Sequence, residues 1–211
     1  MADIACKNNF TFPNIYIPMN KKEYQMADTI KIGEGTKIDK SVTFFGMCSI
    51  GKNCTIKANC VISDSTIGDN CQIEHSTIEG SQIGSFCHIG PYSHIRPNCI
   101  LEESVKVGSF AEIKNSHIGQ GSKIPHLSYV GDATLGKNVN VGCGVVFANY
   151  NGQIKQRSVV GDNVFIGCNV NIVAPVKIAN GTYICAGTTV TKDTEEGDFV
   201  IGRVRQENKK R

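Results

Sequence analysis

The chain lacks several features that would have defined its role at once. No apolar run approaches the roughly 20 residues of a membrane span, and the start "MADIACKNNF" has no signal-peptide core. Neither a spanning segment nor a secretion leader is expected. Charge of one sign is not in excess either: the formal net charge is +3 over 211 residues, which gives no reason to expect a nucleic-acid partner. The basic end Lys209-Lys210-Arg211 reads as a solvated tail. No Cys-x-x-Cys pair occurs among the ten cysteines, so a zinc cluster has no sequence support and no metal is expected. Apolar residues at spacings of three and four are missing too, which excludes an amphipathic helix as the building unit.

What is present is a repeat. Aliphatic residues recur about six apart from Ile32 to Val141, as in Ile50, Ile56, Ile62 and Ile67, and the beat resumes from Val160 to Val190. Glycine often follows the aliphatic residue, and something small stands four after it, such as Cys54, Cys60, Cys71, Ser93 or Ala111. Short strands alternate side chains in and out. The aliphatic residue and the small residue two before it therefore point inward, and the glycine marks a turn. Three such units make a triangular coil, and stacked coils share one core. The expected fold is all-β, a parallel β-helix over residues 29–194. Residues 1–28 form a non-repeat arm or cap, 195–211 a tail, and 148–158 a loop extruded from a coil. Cys48, Cys54, Cys60, Cys71, Cys87 and Cys99 occupy the small inward phase, where free thiols behave as small apolar residues. A reducing, cytoplasmic setting follows.

The repeat also serves as a ruler. Ile95, Ile113, Val130 and Phe147 should stack in consecutive coils. Arg96 and Lys114 follow two of them, and Glu112 and Tyr129 precede two of them. His126 falls in the corner that leads onto this face, with Asn140 close to it, while Asn149, Tyr150 and Lys155 belong to the loop. One edge is thus expected to gather all nine. Cations there suit a phosphate or another anion, and histidine suits general base work at neutral pH. His75, His88, His94 and His117 read as surface residues.

From about Arg96 to Arg203 the chain resembles the C-terminal acetyltransferase domain of the bacterial bifunctional enzyme that makes UDP-N-acetylglucosamine. The stretches "HLSYVGDA", "NVNVG" and "NYNG" carry this most specifically. The resemblance implies the left-handed sense of the β-helix, which periodicity alone does not fix. It also implies transfer of the acetyl group of acetyl-CoA to the 2-amino group of glucosamine 1-phosphate, by a homotrimer with sites between subunits. His126 then matches the general base, and Arg96, Lys114 and Lys155 match residues that hold the sugar phosphate. Tyr129 and Asn140 match residues that position the sugar, and Glu112 an acidic residue beside it. Asn149, Tyr150, Cys168, Ala186 and Arg203 match acetyl-CoA contacts.

Three departures accompany it. Pro125 stands where the family has glycine, Cys168 where it has serine, and Ala148 where it has cysteine. Nothing in the chain resembles the family's glycine-rich basic UTP loop, so uridylyltransferase activity is not expected; the initial methionine and the non-repeat arm suggest a natural single-function protein. Two alternatives remain open here: an N-acetyltransferase for another, nucleotide-linked amino sugar, and a non-catalytic β-helix for assembly or regulation. A β-helical carbonic anhydrase is disfavoured, because His88 and His94 fall on different faces.

Overall fold

The computed structural model describes residues 29–209; the arm expected over 1–28 lies outside them. Short parallel strands form three sheets of nine, ten and nine members. The first runs from Ile30–Ile32 to Lys177–Ile178, the second from Lys37–Ile38 to Phe199–Val200, and the third from Thr43–Phe45 to Thr189–Val190. The chain visits the three in turn, so each strand pairs with the strand one coil earlier and one coil later. This is the left-handed parallel β-helix that the repeat and the resemblance predict, and no helix occurs among the described residues.

The register carries the six-residue beat directly. Ile95 stands opposite Ile113 and Ile113 opposite Val130, and Tyr129 stands opposite Val146, which sets Phe147 on Val130. These four are at most 1% exposed. Burying each aliphatic side chain contributes about 1.5–3 kcal/mol, and every coil contributes three.

The small inward positions do more than fill space. The Ser93 hydroxyl donates to the Gly108 carbonyl at 2.8 Å and the Ser122 hydroxyl to the Gly136 carbonyl at 2.8 Å, each one coil on. The thiols of Cys54, Cys71 and Cys87 make the same contact to Gly68, Gly84 and Glu102, at 3.1 Å each. Serine and cysteine thus do one job: they satisfy corner carbonyls that the ladder leaves over. Contact with Cys54 pulls the Cys71 thiol down, but contact with Cys87 and burial outweigh it and push it up to about 12, so it stays protonated.

Two boundaries differ from expectation. The loop is shorter than 148–158, because Ala148 and Ser158 both pair in the ladder. The second sheet also continues past residue 194, since Phe199–Val200 pairs with Tyr183–Ile184.

Candidate active site

The corner after the third sheet carries the most concentrated polar group. Its turn residues adopt left-handed backbone conformations, with φ of 64° at Asn98, 46° at Asn115 and 50° at Asp132. Asparagine and aspartate reach this region more readily than other side chains. Asn115 and Asp132 lie one coil apart, and Asn149, one coil further, opens the loop.

Asp132 is 7% exposed and fully engaged. Its Oδ1 accepts from the Asn115 amide at 2.5 Å, and its Oδ2 accepts from the Asn149 amide. The Lys114 ammonium stands 3.7 Å from that same oxygen. Burial pushes the carboxyl up, but the two amide donors and the nearby lysines outweigh it, and the net shift is downward. Asp132 is therefore ionised.

The loop folds back as a small hairpin. Gln156 donates its N–H to the Asn149 carbonyl at 2.8 Å, and Tyr150 pairs antiparallel with Lys155. Arg157 fixes the return, donating to the Ala133 carbonyl at 2.8 Å and the Asn115 carbonyl at 2.7 Å. This fold-back brings Lys155 beside Lys114. The Lys114 amine is held above the ordinary lysine range by its contact with the Lys155 amine and, further, by the Asp132 carboxylate. Lys155 is correspondingly pushed down by Lys114. Arg96 donates to Glu112 at 2.8 Å, which raises its own value.

Arg96, Lys114, Asn115, Asp132 and Lys155, with Pro97 and Asn98, line a cavity of about 380 Å³. Tyr129 is tied to this cluster through Asn149, whose amide donates to its hydroxyl at 3.4 Å and to Asp132. The Tyr129 ring reaches this end of the face by lying across Gly131, where an added Cβ would sit 2.3 Å from the hydroxyl oxygen.

His126 is elsewhere. It closes the strand Lys123–His126 of the second sheet, paired with Ser109, and is exposed. The corner itself begins at Leu127, with φ of 44°. The third sheet's strand Tyr129–Gly131 separates His126 from the cavity. The expectation that one edge gathers all nine residues is thus corrected: Arg96, Lys114, Asn149, Tyr150 and Lys155 share one edge, His126 another. Glu112 and Tyr129 lie on the face between them, and Asn140 stands opposite Lys123 on the second sheet. The ruler placed the coils correctly but merged two corners of a triangle.

Above His126, one coil at a time, stand Cys143, Cys168 and Ala186. Asn169 donates its N–H to the Cys143 carbonyl and Gly187 to the Cys168 carbonyl, both at 2.8 Å. Cys168 and Ala186 are exposed. The Arg203 side chain passes Gly187, with its Cδ 3.7 Å from where a Cβ would lie. The residues matched to acetyl-CoA therefore fall into two groups, with Cys168, Ala186 and Arg203 on the His126 edge and Asn149 and Tyr150 at the cavity. His94 and His117 pair at the surface with Glu79 and Glu102, each at 2.8 Å.

Comparison with known proteins agrees with this architecture. Residues 157–192 match the family "Bacterial transferase hexapeptide (six repeats)" and residues 21–109 match the "GMPPB C-terminal domain". Over 180 residues the chain is 51% identical to the "Bifunctional protein GlmU" of Thermoanaerobacter pseudethanolicus, covering 85% of this chain and 39% of that protein. The Listeria monocytogenes protein of the same name is 43% identical over the same shares. Over its repeat region the chain is similar to GlmU. It spans about two fifths of the length of those curated relatives. Among solved structures, the UDP-N-acetylglucosamine acyltransferase from Campylobacter jejuni superposes with a TM-score of 0.52 at 20% identity, over 76% of this chain and 69% of that one. The Arabidopsis UDP-N-acetylglucosamine acyltransferase gives 0.51 at 15% identity, over 81% and 66%. At such identities the likeness is one of fold.

Reading the sequence missed Asn98, Asn115, Asp132, Arg157 and Gly131. The first three occupy corner positions where asparagine and aspartate are ordinary turn formers, so nothing local marked them out. Gly131 alone carried a signal: it follows Val130 like other glycines of the repeat, yet its contact is with a side chain of the site.

Proposed function

We propose that this chain is an N-acetyltransferase that moves the acetyl group of acetyl-CoA onto the 2-amino group of glucosamine 1-phosphate. The product, N-acetylglucosamine 1-phosphate, feeds UDP-N-acetylglucosamine synthesis. The observation that carries the reading is the cavity built by Arg96, Lys114 and Lys155 beside Tyr129. Three cationic side chains converge there on a space of about 380 Å³, which suits a sugar phosphate and its planar or point-charge partners. Identity to GlmU supports the choice of acceptor.

In this reading His126 accepts a proton from the acceptor's ammonium or from the attacking amine. The nitrogen then adds to the thioester carbonyl, and the tetrahedral intermediate collapses with coenzyme A leaving as a thiol that takes up a proton. Backbone N–H groups supply the donors for the transient oxyanion. Cys168, Ala186 and Arg203 follow the coenzyme along the His126 edge, and Asn149 and Tyr150 meet it from the loop.

The separation of His126 from the phosphate cavity supports a homotrimer. Around a threefold axis, the His126 edge of one chain meets the cavity edge of its neighbour, so each site takes its base and its anion pocket from different copies. Asn140, on the His126 side, would then reach the acceptor of the adjoining site. A cytoplasmic setting, where both co-substrates occur, completes the reading.

The test is an acceptor panel with acetyl-CoA. Glucosamine 1-phosphate should give the highest kcat/KM, by at least ten-fold over a UDP-linked amino sugar. Equal or better use of the nucleotide-linked sugar refutes the choice of acceptor. No thiol release with any amino sugar refutes the enzyme reading.

A further inference from the structure

Asp132 joins three parts of the structure through its side chain and its carbonyl. Its side chain reaches the previous coil through Lys114 and Asn115, and the start of the loop through Asn149. Its carbonyl accepts from the Ser158 N–H at 3.2 Å, where the loop re-enters the coil. Asn115, Asp132 and Asn149 stand one above another, so the carboxylate is clasped between two amides.

A corner in this column does not need a carboxylate. The same turn one and two coils earlier is made by Asn115 and Asn98. A buried carboxylate is costly unless it is fully paired. Asp64 turns the same column with an exposed carboxylate, so it is the burial of Asp132, where Lys114, Asn149 and the loop converge, that points to work beyond the turn. We propose that Asp132 is a positioning residue that sets Lys114 and Asn149 at a fixed separation, holding the acceptor's phosphate in register with the coenzyme at the loop.

The inference rests on the acetyltransferase reading and adds to it a residue that acts through Lys114 and Asn149. The charged and titratable groups facing Lys114 are Lys155 and Arg96, with Asp132 and Tyr129; Glu112 is engaged by Arg96 and Arg157 by backbone carbonyls. Asp132 is thus the carboxylate that offsets the mutual repulsion of Lys114 and Lys155. Removing it lowers the pH at which one of them gives up its proton.

The experiment compares wild-type protein with Asp132→Asn and Asp132→Glu. KM is measured for glucosamine 1-phosphate and for acetyl-CoA, and the acceptor KM is followed from pH 6.5 to 9.5. Asp132→Asn should raise both KM values by about 3- to 10-fold, because its amide cannot accept from both asparagines. The alkaline rise in acceptor KM should begin about one pH unit earlier. Asp132→Glu should restore that pH profile, since the charge returns, while acetyl-CoA KM stays raised because Asn149 is displaced. Wild-type KM values and pH profile in Asp132→Asn overturn the proposal. So does a variant whose loss is confined to Tm and kcat with both KM values unchanged, the mark of a merely structural role. If Asp132→Asn does not fold, unchanged acetyl-CoA KM in Asp132→Glu overturns it alone. Should wild-type protein acetylate nothing, the functional reading fails separately. Inorganic phosphate binding by calorimetry then still reads Asp132: affinity lost in Asp132→Asn supports its hold on Lys114, and unchanged affinity overturns it.

Discussion

Substituting Gly131 by alanine perturbs the candidate site through a residue with no chemistry of its own. The new Cβ would lie 2.3 Å from the Tyr129 hydroxyl oxygen and 2.5 Å from the ring carbon that bears it. Ordinary contacts need more than an ångström beyond that, so the ring must swing off the face. The backbone at 131 is not left-handed. Alanine is therefore tolerated there, and its lower entropy when unfolded stabilises by about 0.4–1 kcal/mol, offsetting part of the strain. What is lost is the placement of the hydroxyl, now 3.4 Å from Asn149. A net hydrogen bond contributes about 0.5–1.5 kcal/mol, which converts to a roughly 2- to 13-fold rise in KM for glucosamine 1-phosphate. Tm should move by no more than a few degrees. The assay is thiol release from acetyl-CoA, with Tyr129→Phe and the double variant completing a cycle. If the effect runs through the hydroxyl, the double variant is no worse than either single one. Additive losses, or an unchanged KM in Gly131→Ala, would refute the reasoning.

Four further outcomes follow from the same geometry. His126→Ala should lower kcat by roughly 100-fold or more and leave the melting curve unchanged, because the side chain is exposed; unaltered turnover removes it from the mechanism. Lys155→Arg keeps its charge at every pH, so the alkaline rise in acceptor KM caused by the depressed Lys155 should flatten, as a pH series of KM values will show. Iodoacetamide should alkylate exposed Cys168 and half-buried Cys143 in native protein and spare Cys48, Cys54, Cys60, Cys71, Cys87 and Cys99, with mass spectrometry of tryptic peptides as the readout. The Asp132 carboxyl is depressed in the fold. Its contribution to stability is thus complete above the ordinary carboxylate range near 4 and is lost as pH falls through the lower folded value, so urea midpoints of wild type and Asp132→Asn should converge as pH is taken below that range.

The coil register was legible because it is the most over-determined feature of this chain. Each aliphatic residue from Ile32 to Val190 votes for the same six-residue beat, and a slip by one would turn the whole core outward. The cysteines were legible for the same reason, since their phase fixes their burial. Side-chain direction across a corner was not legible. Tyr129 and His126 are close in sequence, yet the ring of one leans over Gly131 while the other ends the preceding strand. Periodicity reports which coil a residue is in and whether it points inward. It does not report which way an outward side chain leans, and that lean decides which residues share a site.

The column Asn98, Asn115, Asp132 and Asn149 carries this further. A left-handed turn residue is selected for its backbone first, so an asparagine or aspartate there appears fully explained by the turn. At Asn98 that explanation suffices, because the side chain lines the cavity without entering the clasp. At Asp132 it fails, because the turn accepts a neutral amide and the residue present is a buried anion between two amides and a lysine. A solenoid repeats its turns, and each repeat is a control for the next. Asp64 turns the same column with an exposed carboxylate, as a turn alone allows; the coil where that charge is buried and clasped is the one that asks for a second task.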